Sequence, residues 1–328
     1  RWTRRCGASR PTEAFSNPAR TRILAPVSTS ASPPAHYAGV PDVSVIVVSA
    51  DSGPGLHECV RRALASPCVR EVLLIDNGSR DAIPEAVARA FEQDLRLTVV
   101  FNHANLGFGP AVNRAVKRTN GQRLLVLNPD CLLEPDTVPR LIEAFEAQSR
   151  TGLVGAVVCD AQGVPDPASY RRDPLLARSL NTMFNRPGEG VNIEGPMPDH
   201  VVEAEAVSGA LMLISRRLFD YIGGFDEGYF LHCEDLDLCR RMRNAGYHVK
   251  LAGDVRVLHG KGGSSRHRPV FVSWHKHRGM WRWFRKFDPA ARKPHVAVLV
   301  WLGIWGHFAL KVPGQLLRRR RASTTDHA

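Results

Sequence analysis

Short β-branched apolar runs alternate, along the first half of the chain, with stretches in which apolar residues return every three or four positions. Val43, Ser44, Val45, Ile46, Val47 and Val48 have the length and make-up of a strand buried on both faces. After a polar loop (49–55), Leu56, Val60, Ala63 and Leu64 recur at helical spacing. A second apolar run, 71–75, ends on Asp76, Asn77, Gly78 and Ser79. The pattern then predicts a helix over 84–91, a strand over 97–101, a helix over about 108–118 and a strand over 123–127. That last strand runs into Asn128, Pro129 and Asp130. Strands separated by helices with short connections predict an α/β fold, a Rossmann-like, mostly parallel sheet flanked by helices. Such sheets bind ligands outside the carboxyl ends of their strands, which is where Asp76, Asn105 and Asp130 stand.

The pattern fails over 160–206, a Pro-, Gly- and Asp-rich stretch expected to be an irregular excursion over the sheet. It resumes with an apolar run over 207–214, a short helix from Arg216, and a helix from about Glu234 to Asn244 with Gly246 at its C-terminal cap. A strand is expected over 255–258. Further on, Trp274, Trp281, Trp283 and Phe284 alternate with His, Lys and Arg. The apolar run 296–310 falls short of the roughly 20 residues of a spanning helix, is interrupted by His307, and precedes Lys311 and four consecutive arginines from Arg318. This predicts an amphipathic, apolar helical tail lying on an anionic membrane surface as an interfacial or re-entrant anchor. The alternative is a helix packed on the α/β body.

Charge sharpens this division. The chain carries a net charge of +12, yet residues 41–259 hold 23 basic and 29 acidic groups, while 260–328 hold 15 and 2. A basic end on an acidic body points to an anionic surface or phosphates, and no recognisable nucleic-acid module accompanies it. Residues 1–40, rich in Arg, Ser, Pro and Thr and lacking apolar periodicity, read as a disordered leader. The seven cysteines include no C-x-x-C pair and mostly sit in apolar runs, so neither zinc-ribbon spacing nor a disulfide framework is expected.

Candidate chemistry concentrates at four places. The Asp76 to Ser79 turn offers a carboxylate to a nucleobase or ribose, though the same residues suit a plain turn. Asp130 ends a very apolar strand and offers one carboxylate to Mg2+ or Mn2+ beside a diphosphate. Glu234, Asp235 and Asp237 cluster at a helix start, where crowded, partly desolvated carboxylates suit a general base; acids there also complement the helix dipole. Finally, His259 precedes Gly260, Lys261, Gly262, Gly263, Ser264, Ser265 and Arg266, a composition suited to cradling phosphate. His259 is read here either as a metal ligand or as a structural residue.

The order of these motifs resembles the family 2 glycosyltransferases, and within them the bacterial rhamnosyltransferase-like branch. It runs Asp-Asn-Gly-Ser; Asn105-Leu106-Gly107-Phe108-Gly109 with Asn113; Asn-Pro-Asp; Gly-Gly-Phe-Asp with Glu-Asp-x-Asp-Leu; then His259 and Ser264. The resemblance covers about residues 43–285 and implies a GT-A fold. A catalytic domain over 41–265 would comprise a nucleotide-sugar-binding half (41–131) and an acceptor-binding half (132–265), followed by the basic aromatic tail 266–328. It implies an inverting enzyme that moves a sugar from a nucleotide-diphosphate donor, such as dTDP-L-rhamnose, to a saccharide or polyprenyl-linked saccharide acceptor, usually with Mg2+ or Mn2+. The expected setting is the inner face of the plasma membrane. Asp235 with Glu234 would be catalytic. Asp130 and His259 would hold metal. Asp76, Asn77, Asn105, Gly107, Asn113, Lys261 and Ser264 would line the donor site. Two positions depart from the family pattern: Asn128 replaces the first acid of the metal motif, and Asp51 lies in the first loop where many relatives have Tyr-Asn. The rival readings are a nucleotidyltransferase and a nucleotide-sugar-binding pseudo-enzyme. The first loop lacks the basic residue the former would show, and the retained carboxylates argue against the latter.

Overall fold

The computed structural model of the chain describes residues 42–260 and 268–325. The leader expected over 1–40, Cys6, and the phosphate-cradling candidates Lys261 and Ser264 lie outside the described residues.

The first half follows the apolar pattern closely: β1 (Val43–Ser49), α1 (Gly55–Ala65), β2 (Val69–Asp76), α2 (Ile83–Ala90), β3 (Leu97–Phe101), α3 (Phe108–Val116) and β4 (Arg123–Leu127). These four strands run parallel in the order β3-β2-β1-β4. Alternate residues of β1 enter opposite cores, Val43, Val45 and Val47 on one face and Ile46 and Val48 on the other. That is why the run carries no polar face.

The second half departs from a simple parallel winding. It contains β5 (Cys131–Leu132), α4 (Thr137–Glu146), β6 (Thr151–Cys159), β7 (Tyr170–Arg171), α5 (Leu176–Met183), β8 (Val201–Glu203), β9 (Ala206–Val207), β10 (Leu211–Ser215), α6 (Arg216–Tyr221), α7 (Glu234–Asn244) and β11 (His248–His259). β10 inserts between β4 and β6, antiparallel to both, and β11 lies parallel to β6. The resulting nine-stranded sheet is mixed, with β5, β8 and β10 opposing the other strands. The excursion over 160–206 is more ordered than its composition implied, holding β7, α5 and β8; β7 and β9 form a separate two-stranded ribbon. β11 is also longer than expected, extending back to His248.

The basic aromatic tail forms α8 (Pro269–Phe287) and α9 (Pro294–Thr325). α8 lays Trp283 into the core on the α3/α7 side of the sheet, and Phe284 is buried as well. α9 corrects the expectation of a segment too short to span. Its stretch Pro294–Leu316 is 23 residues long and contains an 18-residue window with a mean hydropathy of 1.5, so by length and composition it can cross a membrane. Counting apolar residues alone ended the segment before Lys311, but the helix continues through that lysine. Only 6% of that window is buried, which does not fit a helix packed into the body. It meets α8 through His277 Nε2 to His307 Nδ1 at 3.0 Å and through Trp305 and Phe308 against Trp274.

Candidate active site

The carboxyl ends of β1 and β2 stand side by side, Ser49 opposite Asp76. Asp76 is buried, and its Oδ1 accepts the Ser79 N–H at 3.0 Å, which closes the Asp-Asn-Gly-Ser turn. Asp51, the departure from the family pattern, braces this turn. Its carboxylate accepts the Arg80 N–H at 2.7 Å, and its own N–H donates to Ser79 Oγ. Asn77 ties the next loop down. Its amide donates to Asn105 Oδ1 at 2.9 Å and to the Gly107 carbonyl, and its Oδ1 accepts the Leu106 N–H. The structure therefore brings Asp76, Asn77, Asn105 and Gly107 together at one strand end. Gly107 has φ +91°, and a Cβ there would lie 2.7 Å from the Phe230 carbonyl, so this position demands glycine. Asn113 engages elsewhere, bridging the Phe225 N–H and carbonyl and Glu227.

The second corner is made by a two-pair ladder. β5 pairs with the end of β11, Cys131 opposite His259, which sets Asp130 Oδ1 3.0 Å from His259 Nε2. Both side chains are mostly buried. Asn128 also reaches His259 Nε2, at 3.2 Å. One ring nitrogen cannot accept from an amide and donate to a carboxylate at once, and His259 Nδ1 is buried with no partner among the described residues. A ring with an unresolved bonding pattern beside a carboxylate fits a cation held between Asp130 and the Nε2 lone pair. Cys131 lies within 4.8 Å of both ligand atoms, but burial, and then the Asp130 charge, push its thiol far up, so it stays protonated and is a poor ligand for a hard ion.

The third element is the start of α7. His232 and Cys233 both adopt left-handed φ, 68° and 70°, an arrangement costing about 1–3 kcal/mol per residue, and so turn the chain sharply into the helix. α8 holds this turn closely: a Cβ on Gly279 would sit 2.8 Å from the His232 carbonyl. Burial, and then Lys276, lower the His232 pKa to about 4, so its imidazole is neutral. Asp235 Oδ2 accepts Arg171 at 2.6 Å and the Gly209 N–H at 3.2 Å, while Oδ1 accepts its own helix N–H from Leu236. Glu234 contrasts with it. Its Oε2 is buried without a partner among the described residues, and burial, then the Asp235 charge, raise its pKa to about 8.

A short bridge joins the two carboxylate corners. The Ala210 carbonyl accepts the Asn128 N–H at 2.8 Å and faces Cys131 Sγ, while the preceding residue, Gly209, donates to Asp235. Asp130 and Asp235 thus flank one wall, the segment between β9 and β10. Sequence reasoning did not include Arg171, Gly209 or Ala210. Arg171 reaches Asp235 only because β7 pairs with β9, a contact with no local periodic signal. Asp226 and Asp237, from the same acid-rich segment, face the tail instead. Asp226 accepts Arg282 and Lys286, and Asp237 accepts Arg241 and Lys286.

Residues 44–196 match the sequence profile of glycosyl transferase family 2. Over 266 residues the chain is 27% identical to an N-acetylglucosaminyl-diphospho-decaprenol L-rhamnosyltransferase of Mycobacterium tuberculosis, covering 73% of this chain and 86% of the relative. It is also 25% identical over 163 residues to the rhamnosyltransferase WbbL of Escherichia coli K12, 48% of this chain and 60% of that one. In fold it is similar to the mannosyltransferase PcManGT of Pyrobaculum calidifontis, solved with GDP-Man and Mn2+, at a TM-score of 0.55 and 20% identity over 88% of this chain and 75% of that one. The sheet is accordingly of GT-A type, and the strand-end carboxylates occupy its ligand-binding edge. Sequence and fold agree: residues 44–196 match glycosyl transferase family 2, the chain is similar to rhamnosyltransferases, and it is a glycosyltransferase.

Proposed function

We propose that this enzyme transfers L-rhamnose from dTDP-L-rhamnose, with inversion, to a polyprenyl-linked saccharide of the cell envelope at the cytoplasmic face of the plasma membrane. The observation that carries this reading is the Gly209–Ala210 bridge, which puts the Asp130–His259 corner and the Asp235 carboxylate on one wall. A single-displacement transfer needs those two functions side by side: one to meet the departing diphosphate, the other to take the proton of the attacking hydroxyl. The names of the rhamnosyltransferase relatives, one with a decaprenol-linked acceptor, support the donor and acceptor classes.

In this reading Asp76, with the Asn77, Asn105 and Gly107 loop, grips the nucleoside. Asp130 and His259 hold Mg2+ or Mn2+, which when bound supplies positive charge to the leaving diphosphate. Asp235 accepts the hydroxyl proton as general base, with Arg171 and the Gly209 N–H fixing its orientation. Glu234, kept as the neutral acid by burial, leaves Asp235 as the charged member of that adjacent pair. A donor panel tests the proposal: purified full chain, a short polyprenyl-diphosphate-linked GlcNAc acceptor, and nucleoside diphosphate release with and without Mn2+, with product anomers read by NMR. Preference for dTDP-L-rhamnose, with inversion, is expected. Transfer from another donor only, or with retention, overturns it.

A further inference from the structure

The elbow between α8 and α9 holds a feature that donor and acceptor chemistry do not use. A cavity of about 480 Å³ opens there, lined by Arg285, Lys286, Asp288, Arg292 and Pro294 among others. This volume lies within the range of small-ligand sites. Its charges are not equivalent. Lys286 is neutralised by Asp226 and Asp237, at 2.7 and 2.6 Å. Asp288 has both oxygens committed to backbone donors, Oδ2 to the Leu176 N–H at 2.6 Å and Oδ1 to the Ala290 N–H at 2.8 Å. Arg285 and Arg292 are left without a carboxylate partner among the described residues, and both are exposed. Arg285 stacks over Trp281, 5.7 Å from the ring centre, which leaves its N–H edge free to bond.

The surroundings identify the kind of anion. α9 begins at Pro294, in the cavity wall, and residues 294–316 are mostly apolar and almost wholly unburied, about 34 Å of helix. α5 starts at the same elbow, through the Leu176–Asp288 bond; none of its residues is buried, and Leu180, Met183 and the adjoining Phe184 are exposed. Two cations and a tryptophan therefore sit where exposed apolar helices begin, the level at which lipid phosphates meet water.

We infer that the α8–α9 elbow is a binding site for the phosphate headgroup of a membrane lipid, gripped by Arg285 and Arg292. Paired guanidinium forks match phosphate oxygens, and the adjacent apolar helices match the acyl or prenyl chain. The inference rests on the reading of α9 as membrane-associated, and one experiment separates the two.

Full-length protein in neutral detergent is titrated calorimetrically with dihexanoyl phosphatidylglycerol, farnesyl diphosphate or inorganic phosphate. The same protein is sedimented with phosphatidylcholine vesicles, with and without phosphatidylglycerol. Arg285→Gln combined with Arg292→Gln should weaken binding of the short-chain phospho-lipid by at least about tenfold, as expected for two lost charge-assisted bonds, and should leave donor hydrolysis unchanged. The tighter of the two lipid ligands then names the source, glycerophospholipid or prenyl diphosphate. On vesicles the double variant should still sediment through α9 but lose the increment due to phosphatidylglycerol. Wild-type protein that sediments with neither vesicle overturns the membrane reading of α9. Lipid binding unaffected by the double substitution, or equal affinity for inorganic phosphate and both lipids, overturns the elbow site.

Discussion

Glu234→Gln and Asp235→Asn should behave oppositely, and pH is the axis that shows it. Burial, reinforced by the Asp235 charge, holds Glu234 near a pKa of about 8. At pH 7 it is then about nine-tenths carboxylic acid. Glutamine has the same shape and is also neutral, so Glu234→Gln should keep kcat/KM within about threefold at pH 7. Asp235→Asn removes the proton acceptor and should lower kcat by at least about 10² with donor binding nearly intact. If Glu234 were the base, only about a tenth of the enzyme would be competent at pH 7, and the wild-type rate would climb about tenfold per unit up to pH 8. Initial rates of nucleoside diphosphate release from about pH 5.5 to 9 distinguish the two. An inactive Glu234→Gln with native circular dichroism, beside an active Asp235→Asn, would refute the assignment. The same substitution has a folding consequence. The folded-state value of Glu234 is raised from an ordinary 4.5 to about 8. Its contribution to stability is therefore full below about 4.5 and is lost as pH rises towards 8. The melting-temperature advantage of Glu234→Gln should widen over that window and then level off; an advantage independent of pH would contradict the burial argument.

Three further outcomes are expected. Asp130→Ala should abolish Mn2+-dependent donor binding by calorimetry, because it removes the carboxylate beside His259; unchanged binding with unchanged EDTA sensitivity would count against a metal there. Arg171→Met removes a 2.6 Å charge-assisted bond from a mostly buried carboxylate, worth about 1.5–3 kcal/mol, so kcat should fall about 10- to 100-fold with donor KM little changed, and Arg171→Lys should recover part of the loss. Lys286→Met leaves the fully buried Asp237 with Arg241 alone and should lower the unfolding free energy by about 1.5–3 kcal/mol in a denaturant titration; a loss under about 0.5 kcal/mol would mean the α8–α7 ion pairs add little.

The parts legible in the sequence are those written locally. β3, β4 and α7 begin and end where the apolar period placed them, because a buried strand or an amphipathic helix is dictated by neighbouring residues. The strand-end carboxylates Asp76 and Asp130 were readable for the same reason: each follows an uninterrupted apolar run. What stayed hidden depends on distant pairing. Nothing in Leu211 to Ser215 says that this run inserts antiparallel between β4 and β6. Arg171 looks like one more surface arginine until β7 meets β9. The acid-rich segment 226–237 could be located but not sorted: its residues divide between the site and the tail according to which helix packs against each.

The β5–β11 ladder has a consequence for how the enzyme comes into being. Asn128 and His259 are 131 residues apart in the chain, and β5 and β11 are joined by only two residue pairs. During synthesis the β1–β4 unit can collapse long before His259 leaves the ribosome, so a nascent chain acquires its Asp76–Ser79 turn first and its Asp130–His259 corner last. A closure this long, resting on so short a ladder, is also where the folded sheet opens most readily. Amide exchange at Cys131 and His259 should therefore outpace that of β1.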